Sequence, residues 1–165
     1  MVYIMNICLC EMNQTLARRY FQRFVVDPAL FLDDQPYQPY EYTAEKADAV
    51  VERNRQMGRV YLAVTLGDEP IGEVILKKIN WEQKHCTMGI TLRSDEFKNR
   101  GYGTTAEILA LQYAFNQMEM ETVFADAILK NTRSRHVLEK VGFTETHRDA
   151  AFAYYRCDRK SRQAF

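Results

Sequence analysis

The sequence has no apolar run long enough to cross a lipid bilayer. A membrane-spanning helix needs about 20 consecutive, mainly apolar residues, and charged residues interrupt every apolar stretch of this chain well before that length. The N-terminal residues are mildly apolar, but they reach Glu11 quickly and lack a basic start, which is atypical of a secretion signal. We therefore expect a protein without a membrane partner, in a cytoplasmic setting.

Cysteine is scarce and is poorly spaced for metal binding or for disulfides. The four cysteines form no C-x-x-C pair, and a chain of 165 residues does not depend on a disulfide framework. The first two cysteines, Cys8 and Cys10, alternate as on one face of a strand. We predict no metal site.

The chain also lacks a net charge. Its 22 basic and 22 acidic side chains cancel, which argues against a general nucleic-acid binder. Hydrophobic residues make up 47% of the chain, so it can bury a core and is expected to fold. There are no repeats, linkers or low-complexity segments, and residues 1–165 are predicted to form one domain.

The most informative stretch is a charged loop that passes through two glycines into a helix, over residues 97–118. Gly101 and Gly103 allow the backbone to approach a ligand closely. A helix N-terminus offers free N–H groups and a partial positive charge, which suit an anion. Lys98 and Arg100 add two cations beside it. We interpret this stretch as a phosphate-binding site.

Two further patterns overlap the glycines. Thr104 and Glu107 have the spacing of a capping box, which predicts that the helix begins near Thr104. The glycines also fit the dinucleotide fingerprint G-x-G-x-x-A, ending at Ala106. That fingerprint directly follows a strand and opens a long series of βαβ units, whereas here a polar segment precedes the glycines and little chain follows. A nicotinamide or flavin site is therefore disfavoured.

Strand and helix patterns alternate along the rest of the chain. The predicted strands cover residues 2–10, 59–66, 71–79, 84–92, 122–129, 143–147 and 151–158, and the predicted helices cover residues 13–24, 43–57, 104–118 and 131–140. This order places helices on both faces of a sheet.

A second motif lies one strand downstream of the glycine loop, at residues 131–143. Asn131 has the position of a helix N-cap, and Gly142 supplies a C-terminal turn. A helix with these two ends is common in proteins. It is informative here because it lies one strand downstream of the glycine-loop helix.

Together the two motifs resemble those of the GNAT superfamily of N-acetyltransferases. Lys98-x-x-Gly101-x-Gly103 is similar to the family's acyl-CoA pyrophosphate loop, and Asn131 to Phe143 resembles its Asn-x-x-Ser/Ala…Glu-Lys-x-Gly-Phe segment. The resemblance looks closest to the branch that includes N-terminal acetyltransferases of ribosomal proteins. It implies an α/β (α+β) fold with a mixed, mostly antiparallel sheet of about six or seven strands and helices on both faces.

The resemblance also implies acetyl-CoA as the acyl donor and a primary amine as the acceptor, either a small molecule or a peptide N-terminus. In the family, the strand after the glycine-loop helix diverges from the strand before the loop, and the pantetheine arm lies in the gap. The implied cofactor-binding residues are Ile90, Leu92, Lys98, Asn99, Arg100, Gly101, Tyr102, Gly103, Thr104, Asn131 and Ser134.

The sequence departs from the family at two catalytic positions. Thr87 stands where many relatives carry a glutamate in the strand before the glycine loop. Leu138 stands where many carry a tyrosine that protonates the departing thiolate. Other groups must then serve, and the candidates are Glu73, His85, Tyr154, Tyr155 or a chain of water molecules.

An irregular segment from Asp27 to Tyr42 contains three prolines and a cluster of aromatic rings. Loops of this length are uncommon without a role. The rings either cover the edge of the core or form a wall of a substrate cleft, whose carboxylates would attract a cationic amine. The candidate substrate-binding residues are Asp33, Asp34, Tyr37 and Glu41.

Two classes of function stay open. The first is an acetyl-CoA-dependent N-acetyltransferase. The second is an acyl-CoA-binding sensor or interaction module with little catalysis, which the replacement of both catalytic positions favours. Exposed sheet edges of this kind often pair, so a homodimer is a further expectation.

Overall fold

The computed structural model describes residues 6–162, which form a seven-stranded sheet with helices on both faces. The strands are β1 (Ile7–Glu11), β2 (Val60–Leu66), β3 (Glu69–Asn80), β4 (His85–Leu92), β5 (Thr122–Ile128), β6 (Thr144–Arg148) and β7 (Phe152–Asp158). The helices are α1 (Gln14–Gln22), α2 (Ala44–Gln56), α3 (Tyr102–Gln112) and α4 (Thr132–Lys140). A π-helical turn (Tyr113–Gln117) follows α3, and short 3-10 turns cover Pro28–Leu30, Asp95–Phe97 and Arg159–Ser161.

The strand order across the sheet is β1-β2-β3-β4-β5-β7-β6. Neighbouring strands are antiparallel except β4 and β5, which are parallel. The predicted fold class is therefore confirmed. Within the described residues the first strand is shifted by one position, since β1 covers Ile7–Glu11 rather than residues 6–10; the predicted residues 2–5 lie outside the described range.

Three helices begin next to the first residue of a predicted helix, and in each case that residue is a side-chain N-cap. The Asn13 and Asn131 side chains accept hydrogen bonds from the N–H groups of Leu16 and Ser134, at 2.9 and 3.2 Å. The Thr43 hydroxyl accepts one from the Lys46 N–H at 3.1 Å. Each side chain satisfies a donor that the helix itself leaves free.

The sheet separates two hydrophobic layers. Tyr61 and Ala63 of β2 pack with α1 and α2 on one face, in an aromatic layer around Tyr20 and Phe21. The alternate residues of the same strand, including Val64, pack with α3 on the other face. This alternation is the period of two expected for a strand that is covered on both sides.

The parallel pairing of β4 and β5 is short. It consists of His85 with Thr122, Cys86 with Val123 and Thr87 with Phe124. No residue of β4 after Thr87 pairs with β5 in the described part of the chain, while β4 stays paired with β3 as far as Leu92. The two strands therefore diverge after Thr87, as the family resemblance implied.

We predict that Gly72→Ala lowers the free energy of unfolding by about 1–3 kcal/mol, the usual cost of overpacking. A Cβ atom on Gly72 would lie 2.9 Å from the Thr91 carbonyl oxygen and 3.3 Å from the Val64 Cβ. Gly89→Ala, on the neighbouring strand, is the matched control because its Cβ would meet nothing within 4 Å. Urea denaturation measures both, and equal stability of the two variants would contradict this packing.

Candidate active site

A cleft of about 440 Å³ opens where β4 and β5 diverge. Residues 88–92 of β4 and 125–128 of β5 line it. Successive residues of a strand point to opposite faces of a sheet, so consecutive lining positions mean that the cleft passes through the sheet. The edge of β4 that faces this gap can hydrogen-bond to a ligand, because its ladder with β5 has ended.

The glycine turn forms one mouth of the cleft. Gly101 has a φ of +81° and is the N-cap of α3, and its carbonyl accepts a hydrogen bond from the Thr105 N–H at 3.0 Å. The predicted capping box of Thr104 and Glu107 is therefore wrong. The left-handed Gly101 turns the chain directly into the helix, so Thr104 already lies in the first helical turn.

Lys98 lies at this mouth with its charge compensated. Its Nζ atom is 2.5 Å from Asp27 Oδ2 and 2.6 Å from Asp95 Oδ1. Burial acts to raise the pKa of Asp27, but hydrogen bonds from Lys98 and the Ala29 N–H, with the lysine's charge, lower it below its ordinary value. Lys98 thus ties the glycine loop to the segment that follows α1.

Arg133 is a cleft residue that the sequence analysis missed. It lies in the first turn of α4, and lines the cleft with Asn131 and Ser134. Within residues 6–162 its guanidinium forms no ion pair. Its charge helps to lower the pKa of Asp27. An arginine without an ion pair in the first turn of a helix is available for a phosphate group. Its position two residues after the predicted N-cap was the sequence signal for this role.

The remaining predicted cofactor residues lie along the same path. Ile90, Leu92 and Gly103 line the cleft. A Cβ atom on Gly103 would lie 3.7 Å from Leu92 Cδ1, an ordinary contact, so there is space beside this glycine. Asn99, Arg100, Gly101, Tyr102 and Thr104 form the adjacent turn and the first turn of α3.

Glu73 is the predicted catalytic residue that lies in the cleft. It stands on β3 opposite Thr91 in the register, beside the unpaired part of β4. Its Oε2 atom accepts a hydrogen bond from the Tyr61 hydroxyl at 2.5 Å. Burial raises the pKa of Glu73 to about 7, although the Tyr61 hydrogen bond acts in the opposite direction. A carboxyl group with this pKa can accept and release protons near neutral pH.

Glu107 is a second carboxyl group in the cleft, and the sequence analysis misread it as part of a cap. Glu107 is only 2% exposed, and its Oε2 atom has no hydrogen-bond partner among the described residues. Burial raises the pKa of this carboxyl to about 8. The α3 side of the cleft therefore holds an acid that is mostly neutral at pH 7.

Two predicted catalytic residues do not line the cleft. His85 lies at the opposite, paired end of β4, where its ring nitrogen is 3.1 Å from Gln83 Oε1. The Tyr154 hydroxyl donates to Asp149 Oδ2 at 2.8 Å, and its ring stacks on His147 with centroids 4.5 Å apart. Local sequence could not indicate which end and which face of a strand the cleft occupies.

The four predicted substrate residues also lie outside the cleft lining. Asp33 is 95% exposed and pairs with Lys130 at 3.0 Å. Tyr37 donates to the Val26 carbonyl at 3.3 Å, and the Glu41 carbonyl accepts from Lys46 Nζ at 3.0 Å. Asp34 is an exposed residue of the same loop. In that loop the cleft is reached by Asp27 and Leu30 instead.

The Glu73 end of the cleft carries charges that the sequence analysis did not select. Arg59 and Lys77 flank the β2–β3 ladder where Val60 pairs with Leu76, and both line the cleft. Asp126 of β5 lines it from the other side. Long-range pairing brings these residues together, so no local pattern could identify them.

Between residues 6 and 162 there is no cluster of three or more His, Cys, Asp or Glu side chains that could hold a metal ion. No helix in that range is long and apolar enough to span a membrane.

A sheet that opens between two parallel strands, with a glycine turn at one mouth, is the arrangement that the GNAT resemblance implies. A solved GNAT-family acetyltransferase from Bacillus anthracis matches with a TM-score of 0.75 and 17% identity, covering 94% of this chain and 96% of that one. A dodecameric spermidine N-acetyltransferase from Vibrio cholerae matches with a TM-score of 0.72 and 15% identity, covering 94% and 95%. At these identities the likeness concerns the fold alone.

The chain belongs to the GNAT acetyltransferase family, because the Acetyltransferase (GNAT) domain matches residues 6–144. It is 25% identical over 107 residues to spermidine N(1)-acetyltransferase of Escherichia coli K12, covering 65% of this chain and 57% of that protein. It is 28% identical over 103 residues to the uncharacterized N-acetyltransferase YnaD of Bacillus subtilis, covering 61% and 59%. The family resemblance is confirmed, while the narrower resemblance to ribosomal-protein acetyltransferases stays a prediction.

The two raised pKa values predict how stability depends on pH. Glu73 and Glu107 ionise near pH 7 and 8 in the folded state but near 4.5 when unfolded. Because both folded-state pKa values lie above the unfolded one, the two carboxyl groups stabilise the fold fully below pH 4.5. This stabilisation is lost as the pH rises to about 8.

We expect the free energy of unfolding to fall by a few kcal/mol, on the order of the shifts, between pH 5 and 8. Glu107→Gln removes one titrating group and should flatten this slope in urea denaturation. A slope that is unchanged in the variant would contradict the buried, neutral state of Glu107.

Proposed function

We propose that the protein transfers an acetyl group from acetyl-CoA to a primary amine, with Glu73 as the general base. The observation that carries the proposal is a carboxyl group with a pKa of about 7 beside the open edge of β4, within a cleft that crosses the sheet. Family membership supports acetyl transfer as the reaction.

The cofactor half of the cleft has the chemistry that an acyl-CoA requires. The N-terminus of α3, entered through Gly101, offers backbone N–H groups to the pyrophosphate. Arg133 supplies a cation, and the space beside Gly103 admits close approach of the ligand. The unpaired edge of β4 from Met88 to Leu92 offers hydrogen bonds to the amide groups of the pantetheine arm.

Glu73 would act on the acceptor. The amine attacks the thioester carbonyl, the new C–N bond forms and the C–S bond breaks, and the attacking nitrogen must lose a proton. Glu73 accepts that proton, and Tyr61 holds the carboxylate in place through its 2.5 Å hydrogen bond. Burial raises the pKa of Tyr61, so the phenol stays protonated and keeps donating. The proton that the departing thiolate takes up completes the balance.

Polyamines are the first acceptor to test, since a spermidine acetyltransferase is among the relatives. Glu73 and Asp126 are acidic groups that suit a cationic amine. Arg59 and Lys77 favour a second candidate, an amine that also carries an anionic group, such as a free amino acid or an acidic peptide N-terminus. Acetylation assays with spermidine, amino acids and peptides, under one set of conditions, separate these acceptors.

Glu73→Gln should lower kcat by about 10²- to 10⁴-fold, because an amide cannot accept the proton. In the unaltered protein, kcat/KM should rise with pH through about 7, as Glu73 ionises. Tyr61→Phe is the matched test. It removes the hydrogen bond that lowers the pKa of Glu73, so the rise of kcat/KM should move to higher pH. Full activity of Glu73→Gln with every acceptor would exclude Glu73 as the base.

Gly103→Glu should abolish acetyl-CoA binding, because the new side chain enters the cleft and places a negative charge near the phosphates. Gly103→Ala is the control and should still fold, since its Cβ makes only an ordinary contact with Leu92. A thermal-shift titration measures both, and a ligand at 100 times its Kd stabilises the protein by about 2.7 kcal/mol.

A shift with NAD or FAD and none with acetyl-CoA would overturn the proposal. Binding of acetyl-CoA without turnover of any amine would favour the sensor or interaction module instead. The apolar side chain of Leu138 in the cleft, where a proton donor was expected, favours that second candidate.

A further inference from the structure

We propose that Glu107 is a binding residue for the acyl donor, whose neutral carboxyl group donates a hydrogen bond to an amide carbonyl of the pantetheine arm. This inference rests on the proposed function, because it takes acyl-CoA as the ligand. It adds a proton-dependent contact on the α3 side of the cleft, distinct from the base at Glu73.

Glu107 has a buried carboxyl oxygen without a partner in the described chain. Glu107 is 2% exposed, and Oε2 has no hydrogen-bond partner within residues 6–162. A buried polar group without a hydrogen bond is costly to the fold. Because Glu107 lines the cleft, a ligand in the cleft can supply the missing partner, whereas bulk water has little access.

Glu107 lies on α3 one turn of helix beyond the glycine turn. It lies four residues after Gly103 on α3, one helical turn onward, so the two residues share a face of the helix. The axial rise over four residues is about 6 Å. The pantetheine arm of CoA begins at the pyrophosphate and carries two amides before the sulfur atom. A ligand with its pyrophosphate at the Gly101 turn would therefore bring an amide, rather than a phosphate, to Glu107.

The protonation state decides the chemistry of the contact. Burial holds the pKa of Glu107 at about 8, so at pH 7 the group is mainly a neutral acid with one O–H donor. A neutral acid pairs with a carbonyl oxygen. The ionised form has no proton to donate and would repel that oxygen, so affinity should fall when Glu107 loses its proton.

In the described part of the chain, the neighbouring charged groups form their hydrogen bonds and ion pairs with residues other than Glu107. Of the groups lining the same cleft, Lys98 pairs with Asp27 and Asp95, and Glu73 pairs with Tyr61. On α4, Arg135 contacts Tyr155 and Glu145. The other charged or titratable groups of the cleft lining and of the elements packed on α3 are Arg59, Lys77, Asp126, Arg133, His136, Glu139, Lys140, His85, Cys86, Cys8, Cys10, Glu11 and Tyr113. None of them forms a hydrogen bond or ion pair with Glu107 within residues 6–162.

Titration calorimetry of acetyl-CoA binding between pH 6.5 and 9 tests the proposal. Acetyl-CoA is used because its sulfur is blocked and cannot ionise in this range. For the unaltered protein, affinity should fall about tenfold between pH 7 and 9 as a group near pH 8 loses its proton. Glu107→Gln keeps a neutral donor at every pH, so its affinity should match the unaltered protein at pH 7 and stay nearly flat above it.

Glu107→Leu is the second variant, which removes the donor without adding a charge. It should bind acetyl-CoA about 3- to 10-fold more weakly at pH 7, the effect of one lost hydrogen bond. Adenosine 3′,5′-bisphosphate carries phosphates but no pantetheine arm, so its affinity should be equal in all three proteins. CoA has the amides but no acetyl group, so Glu107→Leu should weaken the binding of CoA at pH 7 by the same factor as the binding of acetyl-CoA.

The outcomes separate this proposal from the proposed function. Binding of acetyl-CoA with the same pH dependence in the unaltered protein and in Glu107→Gln would overturn the role of Glu107 and leave the acetyltransferase intact. If Glu107→Leu weakened the binding of acetyl-CoA but not that of CoA, the assignment of the contact to an amide of the pantetheine arm would be overturned. Absence of acetyl-CoA binding at any pH would contradict the proposed function and this inference together.

Discussion

The short pairing between β4 and β5 is the constraint on which the rest of the site depends. Three residue pairs join these parallel strands, and the ladder ends at Thr87. Because β4 remains paired with β3 on its other side, its free edge is held rigidly beside the gap. Backbone groups that would otherwise be consumed by a neighbouring strand are left for a ligand. An open edge usually invites aggregation, but here it lies inside the sheet, between the helices of one face and those of the other.

The two buried carboxyl groups of the cleft lie on opposite faces of the sheet. Glu73 shares a face with Tyr61 and the aromatic layer of α1 and α2, whereas Glu107 lies on α3, on the opposite face. If the cleft binds the acyl donor as proposed, one carboxyl group would lie on each side of it. Burial raises both pKa values toward neutrality, yet one carboxyl has a phenol partner and the other has none in the described chain. In the roles we propose, the same physical cause would suit one group to proton transfer and the other to donating a hydrogen bond.

Local features could be predicted from the sequence, and long-range ones could not. The helix starts at Asn13, Thr43 and Asn131 depend on hydrogen bonds within three positions, so they could be predicted from the local sequence. At Glu107 two local patterns competed, and the left-handed turn at Gly101 prevailed over the capping-box spacing. The cleft lining at the Glu73 end depends on strand register, which no local spacing encodes. For that reason His85 and Tyr154 were selected on residue type, while Arg59 and Lys77 were not selected.

Amide hydrogen exchange of β4, with and without acetyl-CoA, tests whether the open edge of β4 binds the acyl donor. The backbone N–H groups of residues 88–92 that face the gap lack a strand partner, so they should exchange rapidly in the free protein. Bound acetyl-CoA should slow their exchange, and it should leave residues 85–87 unchanged because these already pair with β5. Saturating acetyl-CoA that protects other segments but not residues 88–92 would contradict the account.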